Sequence, residues 1–316
     1  MPDTARNRPP VDPELAELLA AMPGRPPLSA ESLPLIRPYA TSPVEPLLEA
    51  RDVVRRELAI PADDGAQIPI TVIAPADSAA DAPCVVWLHG GGMVMGDRFS
   101  QIDIPLEWVD RLGVVLVSVD YRLAPEATGT TPVEDAYAAL VWVSEHADEL
   151  GISAQRVHVA GTSAGGGVAA GAVLLARDRG APHVAALILI CPMLDHRNST
   201  VSAEQFAGPG VWSRESNEFA WSALLGGIDD ISVHASPALA ADLSGLPPTY
   251  VDVGSAEVFR DECVSFASRI WSAGGDAELH VWAGGFHGFD ALFPASALGV
   301  EARITRTRWL RRRIEG

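Results

Sequence analysis

In V-A-G-T-S-A-G-G-G, from Val159 to Gly167, a β-branched run gives way to an alanine-rich one, and Ser163 sits at the junction between Gly161 and Gly165. A serine on a tight strand-to-helix turn has its hydroxyl presented at the end of a sheet, and glycine neighbours let strand and helix approach closely. At its free pKa a serine is a poor nucleophile. The reading therefore demands a base to take its proton, an acid to orient that base, and donors for the oxyanion that attack on a carbonyl creates.

Donors are offered by H-G-G-G, His89–Gly92, directly after the apolar run P-C-V-V-W-L. Glycines at the C-terminal end of a strand can turn several backbone N–H groups toward one point. The expected donors are Gly91 and Gly92, with the N–H of Ala164 as the third and His89 as an anchor for the loop. A phosphate-binding loop is excluded, because the Lys and Ser/Thr that it needs do not follow.

The base is one of eight histidines. His146 falls in a helical pattern, His158 and His280 in strands, His183 in a connection, and His196 and His234 in a long irregular stretch; surface or packing explains each. His287, in A-G-G-F-H-G-F after the last strand-like run, lies on a glycine-flanked loop at the sheet edge where α/β active sites form. The acid belongs between Ser163 and His287, on a loop that follows a strand. There V-D-V-G-S-A-E-V-F-R-D-E places Asp252 inside the strand and Asp261 and Glu262 in the next helix, where they read as solvated helix-start carboxylates. Glu257, just past the strand end, is the expected acid, with Asp252 as the alternative.

These residues need a sheet to hold them. RELAIPA and QIPITVIAP read as half-exposed strands, and PCVVWLHG, GVVLVSVDYR, RVHVAG, VAALILICPML, PPTYVDVGS and AELHVWAGG as six more. Helical spacing appears in PVEDAYAALVWVSEHADEL, SAGGGVAAGAVLLARDRG, DECVSFASRIWSAGG and from about Ala295 to the C-terminus. Strand and helix alternate, which predicts an α/β fold with a mostly parallel sheet. The alternation stops for about 40 residues after Leu194, where Trp212, Phe219, Trp221 and Leu224 occur at near-helical spacing; so long a connection is a lid or binding element.

Composition narrows the partners. The 316 residues are 48% hydrophobic and 20% charged, with a net charge of -18, which fits a globular chain and opposes nucleic acid and anionic lipid surfaces. The most apolar run, Val184 to Leu194, is too short for a membrane span, which takes about 20 residues. The first residues lack the pattern of a secretory signal, and Cys84, Cys191 and Cys263 fit no metal spacing and read as reduced packing residues, so the cytoplasm is the expected compartment.

With H-G-G-G at His89, Y-R-L-A-P-E from Tyr121, V-E-D-A from Val133 and G-T-S-A-G-G from Gly161, the chain resembles the hormone-sensitive-lipase-like branch of the α/β-hydrolases, the bacterial family IV carboxylesterases. The resemblance runs from residue 55 to the C-terminus and implies an eight-stranded, mostly parallel sheet flanked by helices, with a helical cap. It implies a catalytic domain over 51–194 and 236–316, with residues 1–50 as an N-terminal cap arm and 195–235 as a cap insertion. The family's acid segment aligns with E-V-F-R-D-E, so Glu257 stands where Asp is usual. Two departures stand out: Thr162 replaces the commoner Asp, marking a G-T-S-A-G subgroup, and A-T-G-T-T-P follows Glu126 where an aromatic and prolines are usual.

The expectation is a serine carboxylesterase for short- to medium-chain acyl esters, using Ser163, His287 and Glu257 without metal or organic cofactor, with Trp212 and Phe219 lining the substrate site. A lactonase, amidase or deacetylase could use the same residues, and a homodimer is compatible with the sequence. An inactive ligand-binding receptor would not need serine, histidine and glycine loop together.

Overall fold

Runs rich in Val, Ile and Leu form one eight-stranded sheet in the computed structural model, which describes residues 7–22 and 28–316. The strands are β1 (Val53–Pro61), β2 (Gln67–Pro75), β3 (Ala82–Leu88), β4 (Val115–Val119), β5 (Ile152–Thr162), β6 (Ala186–Ile190), β7 (Thr249–Gly254) and β8 (Ala277–Trp282). Their order across the sheet is β1-β2-β4-β3-β5-β6-β7-β8. β2 is antiparallel to both β1 and β4, and every other pair is parallel. The predicted α/β fold and mostly parallel sheet are present.

Burial follows from this order. β3, β4, β6 and β7 are buried at every position, which is why their sequences are continuous apolar runs without alternation. β8 is an edge strand and mostly half-buried, matching its mixed A-E-L-H-V-W. Helices Thr131–Glu145, Ala164–Arg179, Arg260–Ser272 and Ala297–Glu315 correspond to the predicted ones. A further helix, Asp103–Leu112, escaped the periodicity because Pro105 interrupts it. That proline lies in the first turn, where no intrahelical N–H bond is lost, and Ile104, Trp108 and Val109 still reach the core.

The N-terminal stretch holds the helix Pro13–Ala20 and single turns at Leu33–Ile36 and Glu45–Leu48, and the stretch after β6 holds helices Val201–Gln205 and Arg214–Leu225. The two stretches touch: the Gln205 amide donates to the Asn7 carbonyl at 2.6 Å, and the Arg8 guanidinium lies over the Phe206 ring. Leu15 of the first helix packs with Phe286, Phe289 and Ala302 in a small apolar cluster, and the Asp12 N–H donates to Gly284 at 3.0 Å. The loop carrying His287 is thereby held from the N-terminal side.

From the C-terminal helix, Arg306 reaches under the same loop. Buried almost completely, its guanidinium donates to Asp252 on β7 at 2.7 Å and to Asp290 at 3.0 Å. Two buried carboxylates sharing one guanidinium join the strand before Glu257 to the turn after His287. Among the described residues, no helix is long and apolar enough to cross a membrane.

Candidate active site

Ser163 occupies the turn between β5 and the helix Ala164–Arg179 with φ 54° and ψ -120°. A side chain in that left-handed conformation is strained by about 1–3 kcal/mol and persists only where surroundings fix it. Here the Ser163 N–H donates to Ile190 on β6 at 2.8 Å, while its carbonyl accepts from Gly166 at 3.0 Å and Met193 at 2.9 Å. The glycines have a steric reason: a Cβ on Gly165 would stand 2.1 Å from the Leu88 carbonyl oxygen, and one on Gly161 2.1 Å from that of Gly165.

The Ser163 hydroxyl meets Nε2 of His287 at 3.0 Å, and Nδ1 of His287 meets Oε2 of Glu257 at 2.5 Å. Glu257 is 2% exposed and its other oxygen accepts from the Gly254 N–H at 3.1 Å, which fixes the carboxylate at the end of β7. Asp252 is elsewhere, committed to Arg306, Tyr250 and Trp282. Of the two carboxylates weighed from the sequence, the structure brings Glu257 to His287.

Burial opposes a charged imidazolium at His287, but the Cys191 sulfur and the Glu257 carboxylate beside it favour one and raise its pKa well above the ordinary value. Cys191 is itself buried, and burial pushes its thiol upward. Glu257 is the carboxylate that meets Nδ1 of His287. Cys191, Glu257 and His287 also offer metal-type donor atoms within 4.8 Å of one another. Both ring nitrogens of His287 are already engaged in hydrogen bonds.

The glycine loop abuts this constellation, since a Cβ on Gly90 would lie 3.3 Å from that of Ser163. Gly90 spends its N–H on Oε1 of Gln101 at 2.9 Å. Among the described residues, no acceptor takes the N–H of Gly91, Gly92 or Ala164. His89 braces the loop: its ring stacks on Tyr121 at 4.3 Å, its carbonyl accepts from the Tyr121 hydroxyl at 2.6 Å, and burial lowers its pKa so that it stays neutral.

Trp212 lies against the loop and the histidine. A Cβ on Gly92 would stand 2.3 Å from its indole, whose ring centroid is 6.3 Å from that of His287. Phe219 is partly buried and packs against the main core. Sequence reasoning missed Phe259, whose ring meets His287 edge-on at 5.1 Å, although its place two residues after Glu257 in an apolar pair was a usable signal. It also misread Glu262, which is 4% exposed, accepts from the backbone N–H groups of Leu194 and Asp195, and is raised well above the ordinary carboxylate range by burial. Asp261 accepts from the Ser202 N–H at 2.7 Å, so both helix-start carboxylates hold the stretch after β6 in place.

Strand order, turn and hydrogen-bonded serine and histidine define an α/β hydrolase, and the sequence profile of the alpha/beta hydrolase fold matches residues 85–291. The chain belongs to that family, in its hormone-sensitive-lipase-like branch. It is 32% identical to the esterase LipI of Mycobacterium tuberculosis over 93% of each chain, and 34% identical to the carboxylesterase NlhH of the same species over 73% of this chain and 74% of that one. Among solved structures it is similar to a bacterial heroin esterase (36% identity, TM-score 0.89, 97% of this chain and 98% of that one). The esterase LipW of Mycobacterium marinum is likewise similar (30% identity, TM-score 0.88, 100% and 99%). The chain is a carboxylic ester hydrolase.

Proposed function

We propose that Ser163, His287 and Glu257 are the catalytic triad of a serine carboxylesterase acting on short- to medium-chain acyl esters. The observation that carries this reading is the unbroken hydrogen-bond chain from the Ser163 hydroxyl through His287 to Glu257. As Oγ attacks the ester carbonyl carbon, its proton passes to Nε2, and Glu257 stabilises the imidazolium without taking the proton. The oxyanion accepts from the N–H groups of Gly91, Gly92 and Ala164, a role supported by their lack of another acceptor among the described residues. Collapse of the tetrahedral intermediate expels the alcohol, which takes the proton from His287, and leaves an acyl group on Ser163. Water then repeats the sequence and releases the acid.

The arm over 1–50 and the insertion over 195–235 are read as a cap, a reading supported by the contacts of Asn7 and Arg8 with Gln205–Ala207. Trp212 forms the apolar wall beside the oxyanion donors, with Phe219 as the second aromatic of that wall. Its closeness to Gly92 and His287 leaves little depth on that side, which supports the preference for shorter acyl groups. Three free, buried cysteines support a reducing, cytoplasmic setting. The test is hydrolysis of p-nitrophenyl acetate by Ser163→Ala: a loss on the order of 10⁴-fold or more is expected with an unchanged melting curve, and retained turnover overturns the reading.

A further inference from the structure

Arg37, in the 3-10 turn Arg37–Tyr39 of the N-terminal stretch, reaches the back of the glycine loop. Its Nε donates to the Val94 carbonyl at 2.6 Å, and a terminal nitrogen donates to the Ala124 carbonyl at 2.5 Å. The Glu126 carboxylate closes the guanidinium with bonds of 2.7 and 2.8 Å. Arg37 thus gathers the loop after H-G-G-G and the segment Y-R-L-A-P-E, a motif to which the triad assigns no chemistry. Val94 and Ala124 are fully buried, and neither carbonyl has another donor among the described residues. A buried acceptor left unpaired costs free energy, so both segments are held to this side chain.

The contact lies two residues from Gly92. The Gly91 carbonyl accepts from the N–H groups of Val94 and Met95 at 3.2 and 3.1 Å, and across the trans peptide the Gly92 N–H points the opposite way. Fixing the turn Gly91–Met95 therefore fixes the direction of that N–H. Arg37 holds the turn at Val94, and the Ala124 N–H holds it at Met93, donating to its carbonyl at 2.8 Å. The same stretch of the arm grips the far end of the loop: the Ser100 hydroxyl donates to the Ala40 carbonyl at 2.7 Å, and the Thr41 hydroxyl to Asp97 at 2.5 Å.

We propose that Arg37 is a positioning residue for ester hydrolysis, holding the turn Gly91–Met95 so that the Gly92 N–H meets the oxyanion. Through this side chain the docking of the N-terminal arm sets the rate, although the arm adds no group to the triad. The inference rests on the oxyanion role proposed above for Gly91, Gly92 and Ala164. Loss of the guanidinium frees the turn and leaves the hydrogen bonds of Ser163, His287 and Glu257 untouched.

The test compares Arg37→Met with Arg51→Met, both assayed well below their melting midpoints. Arg51 also pins the N-terminal region, donating to Asp110 and to the Leu47 carbonyl, but makes no hydrogen bond to the glycine loop. The probes are p-nitrophenyl acetate and 1,1,1-trifluoroheptan-2-one. With the ketone, Ser163 Oγ bonds to the carbonyl carbon, its proton passes to His287, and the former carbonyl oxygen becomes the oxyanion. In Arg37→Met, kcat/KM should fall at least about tenfold and the ketone's Ki should rise by the same factor, because both report the oxyanion donors. The acid-limb midpoint of kcat/KM should stay in place. Arg51→Met should keep kcat/KM and Ki within about twofold of native, as the loss of a surface ion pair costs little. If Arg37→Met does not fold, Arg37→Lys carries the test, with parallel changes of at least about threefold, because an ammonium cannot reproduce the planar fork. A lowered melting curve with native kcat/KM, a fall in kcat/KM without the matching rise in Ki, a moved acid limb, or an equal fall in Arg51→Met overturns the proposal. Failure of the ketone to inhibit the native enzyme is a different result, which overturns the oxyanion reading and this inference with it.

Discussion

Glu257 and His287, thirty residues apart, meet at 2.5 Å, whereas Asp252, five residues before Glu257, is turned away into an ion pair with Arg306. One carboxylate faces the histidine and the other builds the floor beneath it. Glu257→Gln should lower kcat on p-nitrophenyl acetate by about 10³–10⁴-fold at unchanged stability, because the amide cannot stabilise the imidazolium. Asp252→Asn should do the reverse, costing about 1.5–3 kcal/mol of stability through a weakened charge-assisted hydrogen bond, because Arg306 keeps Asp290 as its counter-charge, while the folded fraction stays within about tenfold of the native rate. Melting curves and initial rates on the same two samples separate these outcomes; a larger catalytic loss in the Asp252 variant would exchange the roles.

The pH dependence follows from the sign of the His287 shift. Only the neutral imidazole accepts the Ser163 proton, and its pKa is raised, so the acid limb of kcat/KM should have its midpoint above the ordinary histidine value of 6.5. Because Glu257 supplies the charge that favours the imidazolium at neutral pH, Glu257→Gln should move the residual activity's midpoint downward. A midpoint below 6.5 in the native enzyme would show that burial outweighs the carboxylate.

Trp212 and Gly92 are in tight contact, and a methyl group on Gly92 would collide with the indole at 2.3 Å while holding a left-handed φ of 65°. Gly92→Ala should therefore reduce kcat at least about tenfold by displacing the loop and its N–H groups. Adding Trp212→Ala removes the collision but not the backbone strain, so the double variant should recover part of the rate. Trp212→Ala alone should shift the chain-length profile toward longer p-nitrophenyl esters. An unchanged profile would remove Trp212 from the substrate wall.

Leu15 is fully buried against Phe286 and Phe289, the residues that flank His287 and Gly288. Leu15→Ala should cost about 2–5 kcal/mol, as buried leucine truncations do, and should loosen the histidine loop. Thermal melting and rates measured well below the new midpoint are the check; a stability loss with a native rate would mean that the loop is held without the arm.

Much of this was legible in the sequence because the determinants are local. Continuous apolar runs named the strands, and glycines at the strand ends marked the loops that bear Ser163 and the oxyanion donors. Glu257 could be ranked above Asp252 because a residue inside a parallel strand cannot reach the loop where His287 lies. The rest depends on distant partners. Glu262 looked solvated at a helix start, yet the backbone of Leu194 and Asp195, nearly seventy residues upstream, closes over it. Arg306 gave no signal at all, since its two carboxylates come from the interior of β7 and from the short helix Phe289–Leu292 after the His287 loop. The helix Asp103–Leu112 was hidden by Pro105, whose harmlessness depends on its position in the first turn.

The central claim is that Ser163 carries the acyl group between the two halves of the reaction. Acid quenching during turnover of p-nitrophenyl acetate, followed by peptide mass analysis, measures this directly. The account predicts an acetyl group on the peptide containing Ser163 and none in Ser163→Ala. Full turnover with no adduct on that peptide, or an acetyl group carried by another residue, would contradict it.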